Sequence, residues 1–493
     1  MSAEASANAP HLRYHDPVST YYVQNFGCRA TQADGAAIER QFEARGLVPA
    51  PADRASLIIL NTCTVTNSAD QDARAAVRRI QRRNPLARII VTGCYAQRAP
   101  EEVAALPGVK AVIGNSHKHQ LADLVLGENL APGKGFLPIS ALTENRELST
   151  ENSIFVSDIF AHTELLAAPV FESATADGHE HDRTRPNLKV QDGCDNRCSF
   201  CVIPSVRGQS RSLPASQIIG EVNSLVAAGY HEVVISGINL GRWGRDLESQ
   251  LPASRFRKSL FEDLIRSILG ETKLEKLRIS SVEPMDWSDE LIALVAASPR
   301  IAKHAHVPLQ SGSDAVLRRM YRKYRPWHYR EKIEKIRAAM PTAAIGADVM
   351  TGFPGETDAE FESTRRLIED LPFTYLHVFT YSARPGTPAA AMSNQVPVRV
   401  ARERNKILRE LAATKKQTFI QSFIGRRVEA ITLGAMKKGS NGDFTEALTD
   451  NYQKLFLKGL HEANRWIRAD IEAVEDAAFV GSVAVSAQSP NLS

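Results

Sequence analysis

Six cysteines carry the chemistry of this sequence: Cys28, Cys63, Cys94, Cys194, Cys198 and Cys201, with none after residue 201. The last three form a local motif, Cys194-x3-Cys198-x2-Cys201. Three thiolates in one short loop can hold a single metal centre. They cannot close a tetrahedral zinc site, which needs four ligands. A four-iron cluster on three thiolates keeps one iron open for a small ligand. A fourth zinc ligand from elsewhere in the chain is the alternative. The first three cysteines are dispersed, yet their contexts are alike: Phe26-Gly27-Cys28, Asn61-Thr62-Cys63 and Thr92-Gly93-Cys94. Gly27 and Gly93 let the backbone approach a bulky group closely. The competing reading is three independent buried thiols.

The elements around these residues must bring them together. Residues 18–128 alternate strands (Tyr21–Asn25, Leu57–Asn61, Arg88–Thr92, Ala111–Ile113) with helices near Gln32–Arg45, Ser68–Arg83, Pro100–Ala105 and His117–Leu126. Asn84-Pro85 stops the second helix. Regular β-α alternation predicts a parallel sheet. Its carboxyl ends share one edge, where ligands bind. Cys28, Cys63 and Cys94 each follow a strand by two or three residues and are spaced by about one β-α unit, so they can meet. Residues 129–185 read as a linker with one or two short elements, such as Ile154–Ile159. Its His179-Glu180-His181-Asp182 run reads as solvated chain rather than a metal site.

Residues 186–416 carry six further strand patterns: Asn187–Gln191, Glu232–Ser236, Lys276–Ser280, His304–Val307, Ala344–Val349 and Tyr375–Thr380. Helix patterns separate them, and a basic helix, Val398–Lys416, bridges to the next region. Six β-α units predict a complete or partial parallel barrel with its site at the carboxyl ends of the strands. Residues 417–487 shorten to alternating segments, Val428–Thr432, Phe444–Thr449, Lys454–Leu457 and Trp466–Val474, which predict a small antiparallel barrel. The fold class is α/β with this appended β-barrel.

At 493 residues the chain suits about three domains. No run of about 18 apolar residues could span a membrane. The first twenty residues lack the basic start and apolar core of a secretory signal. A reducing cytoplasm, with free thiols, is therefore expected. The net charge of +4 is small, but basic residues are grouped. Ala73–Arg88 has six arginines and no acid, Arg318–Arg325 has five basic residues and no acid, and Pro397–Gly439 has eleven basic against three acidic residues. Such blocks suit contact with phosphates or form solvated helix faces.

The run Gln191-Asp192-Gly193-Cys194-Asp195-Asn196-Arg197-Cys198-Ser199-Phe200-Cys201 resembles the signature loop of radical S-adenosylmethionine enzymes, specifically the methylthiotransferases. Gly27-Cys28-Arg29-Ala30-Thr31-Gln32, Asn61-Thr62-Cys63-Thr64-Val65-Thr66 and Gly93-Cys94-Tyr95-Ala96-Gln97 resemble that family's amino-terminal domain. Thr449-Asp450-Asn451-Tyr452 resembles part of its RNA-binding TRAM barrel. The Cys28-Arg29 pair, the Asn61–Thr66 run and the Thr449–Tyr452 stretch are most similar to the bacterial branch acting on threonylcarbamoyladenosine in tRNA. Other branches act on isopentenyladenosine in tRNA or on a ribosomal-protein aspartate. A non-catalytic iron–sulfur RNA-binding protein is the rival of another class. One departure is Gln209, in Ser205–Arg211, where relatives usually carry arginine.

The resemblance implies a central partial (β/α)6 radical-SAM barrel. It also implies that Cys194, Cys198 and Cys201 hold a 4Fe–4S cluster whose open iron takes S-adenosylmethionine. One electron then yields a deoxyadenosyl radical, which removes hydrogen from an unactivated carbon. Cys28, Cys63 and Cys94 would hold a second cluster that binds or supplies sulfur, and a second S-adenosylmethionine would methylate it. The two clusters must lie close, so the carboxyl edges of the two parallel folds should face each other. Gly237 and Asn239, Glu283, Gln310 and Ser311, and Asp348 follow successive barrel strands and are the candidate cofactor-binding residues. The implied substrate carbon is carbon 2 of an adenine in the tRNA anticodon stem-loop, since RNA readers favour unpaired loops. Arg207, Arg211, Arg426, Arg427, Lys437 and Lys438, with the bridge helix, are the expected RNA contacts. An electron donor such as flavodoxin or ferredoxin and a monomeric state are also expected.

Overall fold

A computed structural model describes residues 19–126, 153–162, 165, 170–171, 185–247, 260–439 and 442–484. The amino-terminal unit is a six-stranded, all-parallel sheet. Its strands run in the order Val48–Pro49, Thr20–Asn25, Leu57–Thr62, Arg88–Gly93, Val109–Gly114, Ser153–Phe155. Leu57–Thr62 is buried at every position, as a strand covered on both faces must be. Asn67–Arg83 begins where the Thr66 side chain accepts from the Ala69 N–H, satisfying one of the donors left at a helix start. Ser153–Phe155, within the expected linker, is the last strand of this sheet. Val170–Phe171 pairs with the next unit. His179–Asp182 lies outside the described residues.

The central unit has its six parallel strands in sequence order. Pro186–Asp192, Glu232–Gly237 and Lys276–Ile279 form one sheet. His304–His306, Ala344–Thr351 and Tyr375–Thr380 form another. The parallel bridges Leu277↔Ile301 and Ser281↔His306 join them. Pro186–Asp192 and Tyr375–Thr380 are not paired with each other among the described residues, so the barrel is partial. Its apolar core, including Val233, Leu277, Ala347 and Trp287, is continuous with the surrounding helices. The bridge helix runs Val398–Gln421, further than the sequence suggested. Buried Arg404 anchors it, donating to Glu356 and Asp358.

The carboxyl-terminal strands Arg427–Gly439, Gly442–Thr449, Lys454–Lys458, Ala478–Val483 and Trp466–Glu475 close into a barrel in that order. The loop 449–453 at one end of this barrel lies against the central unit. Asn451 Nδ2 donates to the Thr342 carbonyl and Arg278 to the Asp450 carbonyl.

Candidate active site

The local cysteine loop leaves the end of strand Pro186–Asp192. Gly193 N–H donates to Asp192 Oδ1 at 2.8 Å, and Cys194 N–H to the Gly208 carbonyl at 3.1 Å. Ser199 pins the far side, donating from N–H to the Met320 carbonyl and from Oγ to the Arg319 carbonyl. Two donors point at sulfur. Asn239 Nδ2 stands 3.6 Å from Cys194 Sγ, and Arg322 Nη1 stands 3.3 Å from Cys198 Sγ. Burial, with Cys198 and Cys194 alongside, pushes the Cys201 thiol up to about 12. A thiolate buried in this way needs a strong positive centre beside it, because a buried charge must be compensated.

The dispersed trio assembles as the strand spacing predicts. Cys28 caps helix Arg29–Glu43, Cys63 follows strand Leu57–Thr62, and Cys94 opens helix Cys94–Arg98. Burial first, then the nearby Cys94 and Cys28, pushes the Cys63 thiol up to about 12. Gly27 has φ +102, and a Cβ on it would lie 2.5 Å from Cys63 Cβ and 2.8 Å from its Sγ. Gly93, at φ +98, lets the chain turn at Cys94 with the Thr62 backbone 2.3 Å from where a Cβ would stand. These glycines admit the trio.

The two trios adjoin at Cys94. Cys94 packs with Val202 and Val206, on the segment that leaves Cys201. Asn115 Nδ2 donates to Cys94 Sγ at 3.5 Å and to the Val206 carbonyl at 2.7 Å. Beside this contact lies a buried ionic network. Asp34 accepts from Lys118 and Arg207, each at 2.9 Å, and from Lys189. Asp192 accepts from Lys189 and Arg207, each at 2.8 Å. Burial favours the neutral acids, yet the three cations hold Asp34 well below the usual carboxylate range, and Arg207 and Lys189 do the same for Asp192.

Arg207, expected at RNA, is instead 2% exposed within this network. Its neighbours Ser205 and Gln209 are exposed, while Arg207 itself turns inward to Asp34 of the amino-terminal unit and to Asp192. Arg211 donates to the Arg207 carbonyl. Arg426 is exposed over the Phe423 ring, whereas Arg427 forks onto Asp470 at 2.8 and 3.0 Å. Lys437 and Lys438 lie on strand Arg427–Gly439, their side chains outside the described residues. In the basic run at 318–325, Arg318 and Arg325 pair with Asp314, and Arg319 pairs with Glu360.

A cavity of about 490 Å³ opens between all three units. Cys28 and Arg29 wall it from the amino-terminal unit, Ser236–Ile238 and Arg278 from the barrel, and Tyr452 from the carboxyl-terminal barrel. Of the candidate cofactor residues, Gly237 and Asp348 line it directly. Among the described residues, three buried polar atoms near the strand ends of the central unit have no hydrogen-bond partner: Ser236 Oγ, Asn239 Oδ1 and Gln310 Oε1. Such atoms call for a polar ligand, and with the thiol trios they fit a cluster-bound amino acid nucleoside. Ser311 turns away to Thr364, and Glu283 is paired with Arg322. His306 Nε2 and His377 Nδ1 stand 3.2 and 3.3 Å from the Asp348 carboxylate oxygens. Despite burial, these contacts hold Asp348 well below the usual carboxylate range. These three residues are also near enough together to hold a metal ion. The sequence reading gave no site role to Asn115, His306 and His377, which sit in no recognisable motif, and read Arg322 only as part of the basic run 318–325.

Two family models match the chain: "Uncharacterized protein family UPF0004" over residues 20–114 and "Radical SAM superfamily" over residues 188–368. The threonylcarbamoyladenosine tRNA methylthiotransferase MtaB of Bacillus subtilis is 34% identical over 90% of this chain and 92% of its own length. The protein of that name from Rickettsia prowazekii is 37% identical, over 83% and 86%. The tRNA-2-methylthio-N(6)-dimethylallyladenosine synthase of Novosphingobium aromaticivorans is 34% identical, over 84% and 86%. Among solved structures, the radical S-adenosylmethionine methyltransferase TsrM of Kitasatospora setae shares the fold, with TM-score 0.52 and 15% identity over 75% of this chain and 74% of that one.

Proposed function

The chain belongs to the radical S-adenosylmethionine methylthiotransferase family, and from that premise we propose that it methylthiolates carbon 2 of N6-threonylcarbamoyladenosine at tRNA position 37, beside the anticodon. The observation that carries this reading is the shared cavity. Cys28 of the dispersed trio and Ser236–Ile238, beside the local trio, line the same space. A sulfur carried on one side and a reactive centre on the other can then reach one carbon.

Two 4Fe–4S clusters and S-adenosylmethionine supply, when bound, the homolytic cleavage of an unactivated C–H bond and the inserted sulfur. Cys194, Cys198 and Cys201 hold one cluster; Cys28, Cys63 and Cys94 hold the other. Asn239, Arg322 and Asn115 donate to their sulfurs, and hydrogen bonds to sulfur tune such centres. Ser236, Asn239 and Gln310 offer their unpartnered atoms to polar parts of the cofactor. Ile238 and Ile279 give the cavity apolar wall for a base.

Exposed Arg426, with Arg402 and Arg409 on the bridge helix, grips tRNA phosphates. Arg426→Glu should weaken tRNA binding and lower the slope of log affinity against log salt by about 1. An unchanged titration at moderate salt removes Arg426 from the interface. Gly27→Ala should push Cys63 aside and reduce reconstituted iron from about eight to about four per chain, read by iron and sulfide analysis.

No helix among the described residues is long and apolar enough to cross a membrane. The protein works in the cytoplasm as a monomer, reduced by a flavodoxin or ferredoxin. Nucleoside mass spectrometry of tRNA from a deletion strain tests the substrate. Threonylcarbamoyladenosine should accumulate without its methylthio group. Loss of the methylthio mark from isopentenyladenosine instead would overturn the assignment.

A further inference from the structure

One wall of the shared cavity is supplied by the carboxyl-terminal barrel. Tyr452, from the carboxyl-terminal barrel, reaches into it with φ +65, a backbone conformation that bulky side chains rarely adopt. Such a residue persists only where its surroundings hold it, and this happens most often at functional sites. Here the surroundings are specific. Thr449 Oγ1 donates to Asn451 Oδ1 at 2.6 Å and accepts from Gln453 N–H at 2.8 Å. Asp450 is clamped by Lys276 at 3.2 Å. Arg278, 1% exposed, is fixed by Glu232 through Nε at 2.6 Å. It donates Nη1 and Nη2 to the Asp450 and Thr449 carbonyls. The guanidinium of Arg278 sits 5.2 Å from the Tyr452 ring centroid. The Tyr452 hydroxyl then accepts from Arg29 Nη2 at 3.2 Å.

The chain therefore spends a strained residue and a buried cation on aiming one guanidinium. Arg29 immediately follows Cys28, so it stands beside the group from which sulfur must arrive. In adenine, carbon 2 and carbon 6 flank the same ring nitrogen. A base that presents carbon 2 to Cys28 must keep its N6 substituent within reach of the adjoining wall. A planar guanidinium is matched to a carboxylate, which it can take in two parallel hydrogen bonds. A hydrocarbon substituent has no acceptor to offer a guanidinium.

We propose that Arg29 and Tyr452, with Arg278 positioning the Tyr452 loop, form the subsite that receives the carboxylate of the N6-threonylcarbamoyl group. The carboxyl-terminal barrel is thereby a specificity element of the active site as well as an RNA grip. This rests on the threonylcarbamoyladenosine reading above.

The test compares two anticodon stem-loops, one with the free acid and one with that carboxylate converted to a carboxamide. Each is titrated by fluorescence anisotropy into the reconstituted holoenzyme, as wild type, Arg29→Gln, Arg29→Lys and Tyr452→Phe. Wild type should bind the acid about 10–100-fold more tightly than the amide, the range for a hydrogen bond to a charged group. Arg29→Gln should abolish that preference by weakening the acid alone, with iron content unchanged. Arg29→Lys should restore part of it, and Tyr452→Phe should reduce it. Equal weakening of acid and amide by Arg29→Gln would overturn the subsite. So would a wild type that methylthiolates the acid yet binds both loops equally, with the substrate assignment intact. A wild type that ignores both loops and modifies an isopentenyl-bearing one would overturn the subsite and the substrate together.

Discussion

Asp34→Ala should cost about 3–5 kcal/mol of stability, the loss found when one member of a buried ionic group is removed and its partners stay charged. The network holds three cations, Lys118, Lys189 and Arg207, against two carboxylates, Asp34 and Asp192. Among the described residues, Asp34 is the only acid that all three cations touch. Without it, Lys118 loses its carboxylate partner while remaining 3% exposed. The cost falls on the seam between units, because Asp34 and Lys118 belong to the amino-terminal unit while Lys189, Asp192 and Arg207 belong to the central unit. A fall in melting temperature on the order of 10 °C follows for units of this size, read by calorimetry beside wild type. Asp34→Asn should fall nearly as far, since it keeps the shape but not the charge. A shift within error would mean that water or rearrangement compensates the cations.

The pH dependence of that difference has a definite sign. The cations hold the folded Asp34 carboxyl well below the usual range. An unfolded aspartate titrates near 3.9. Below that pH the unfolded chain binds a proton that the folded chain refuses, so Asp34's contribution shrinks as pH falls. Above it, the contribution is fully present. Wild type and Asp34→Ala should therefore differ by a constant amount from about pH 5 to 8 and converge below about pH 4.

What the sequence disclosed and what it hid follow from the range of the interactions. The meeting of Cys28, Cys63 and Cys94 was legible because it depends only on strand order and the shared edge of a parallel sheet. Arg207 was misplaced because Ser205–Arg211 looks like a surface loop. Its partner Asp34 lies 173 residues earlier, a separation no local pattern reports. Tyr452 and Arg29 are 423 residues apart, so their contact was invisible, although each sat in a stretch already singled out. The last strand, Ala478–Val483, was missed for a local reason. Its hairpin turns at Asp476-Ala477 with φ of 48 and 56, where an Asn-Gly or Asp-Gly pair is the usual signal. Ser153–Phe155 overlaps the short element expected at Ile154–Ile159, and only its pairing with Val109–Gly114 places it in the sheet.

Single replacements in the two cysteine trios should give two different defective enzymes. Cys198→Ala removes the sulfur nearest Arg322 and leaves two thiols in the local loop, too few for a cluster with one open iron. Reconstituted iron should fall from about eight to about four per chain. Reductive cleavage of S-adenosylmethionine should stop, and with it all modification of tRNA. Cys63→Ala removes the sulfur packed on Gly27. Iron should again fall to about four, but from the other site. Cleavage of S-adenosylmethionine to 5′-deoxyadenosine should therefore continue in Cys63→Ala while no methylthio nucleoside forms. The separation is expected because no side chain among the described residues serves both trios as a ligand; they adjoin through the apolar contact of Cys94 with Val202 and Val206 and through Asn115, which donates to Cys94 Sγ and to the Val206 carbonyl. That contact sets the limit on the prediction. If Cys63→Ala also silences cleavage while retaining about four irons, assembly of the local site depends on the packing at Cys94 and the trios are not independent. If Cys63→Ala keeps about eight irons, Cys63 is not a ligand, and the dispersed trio would have to be read as three buried thiols.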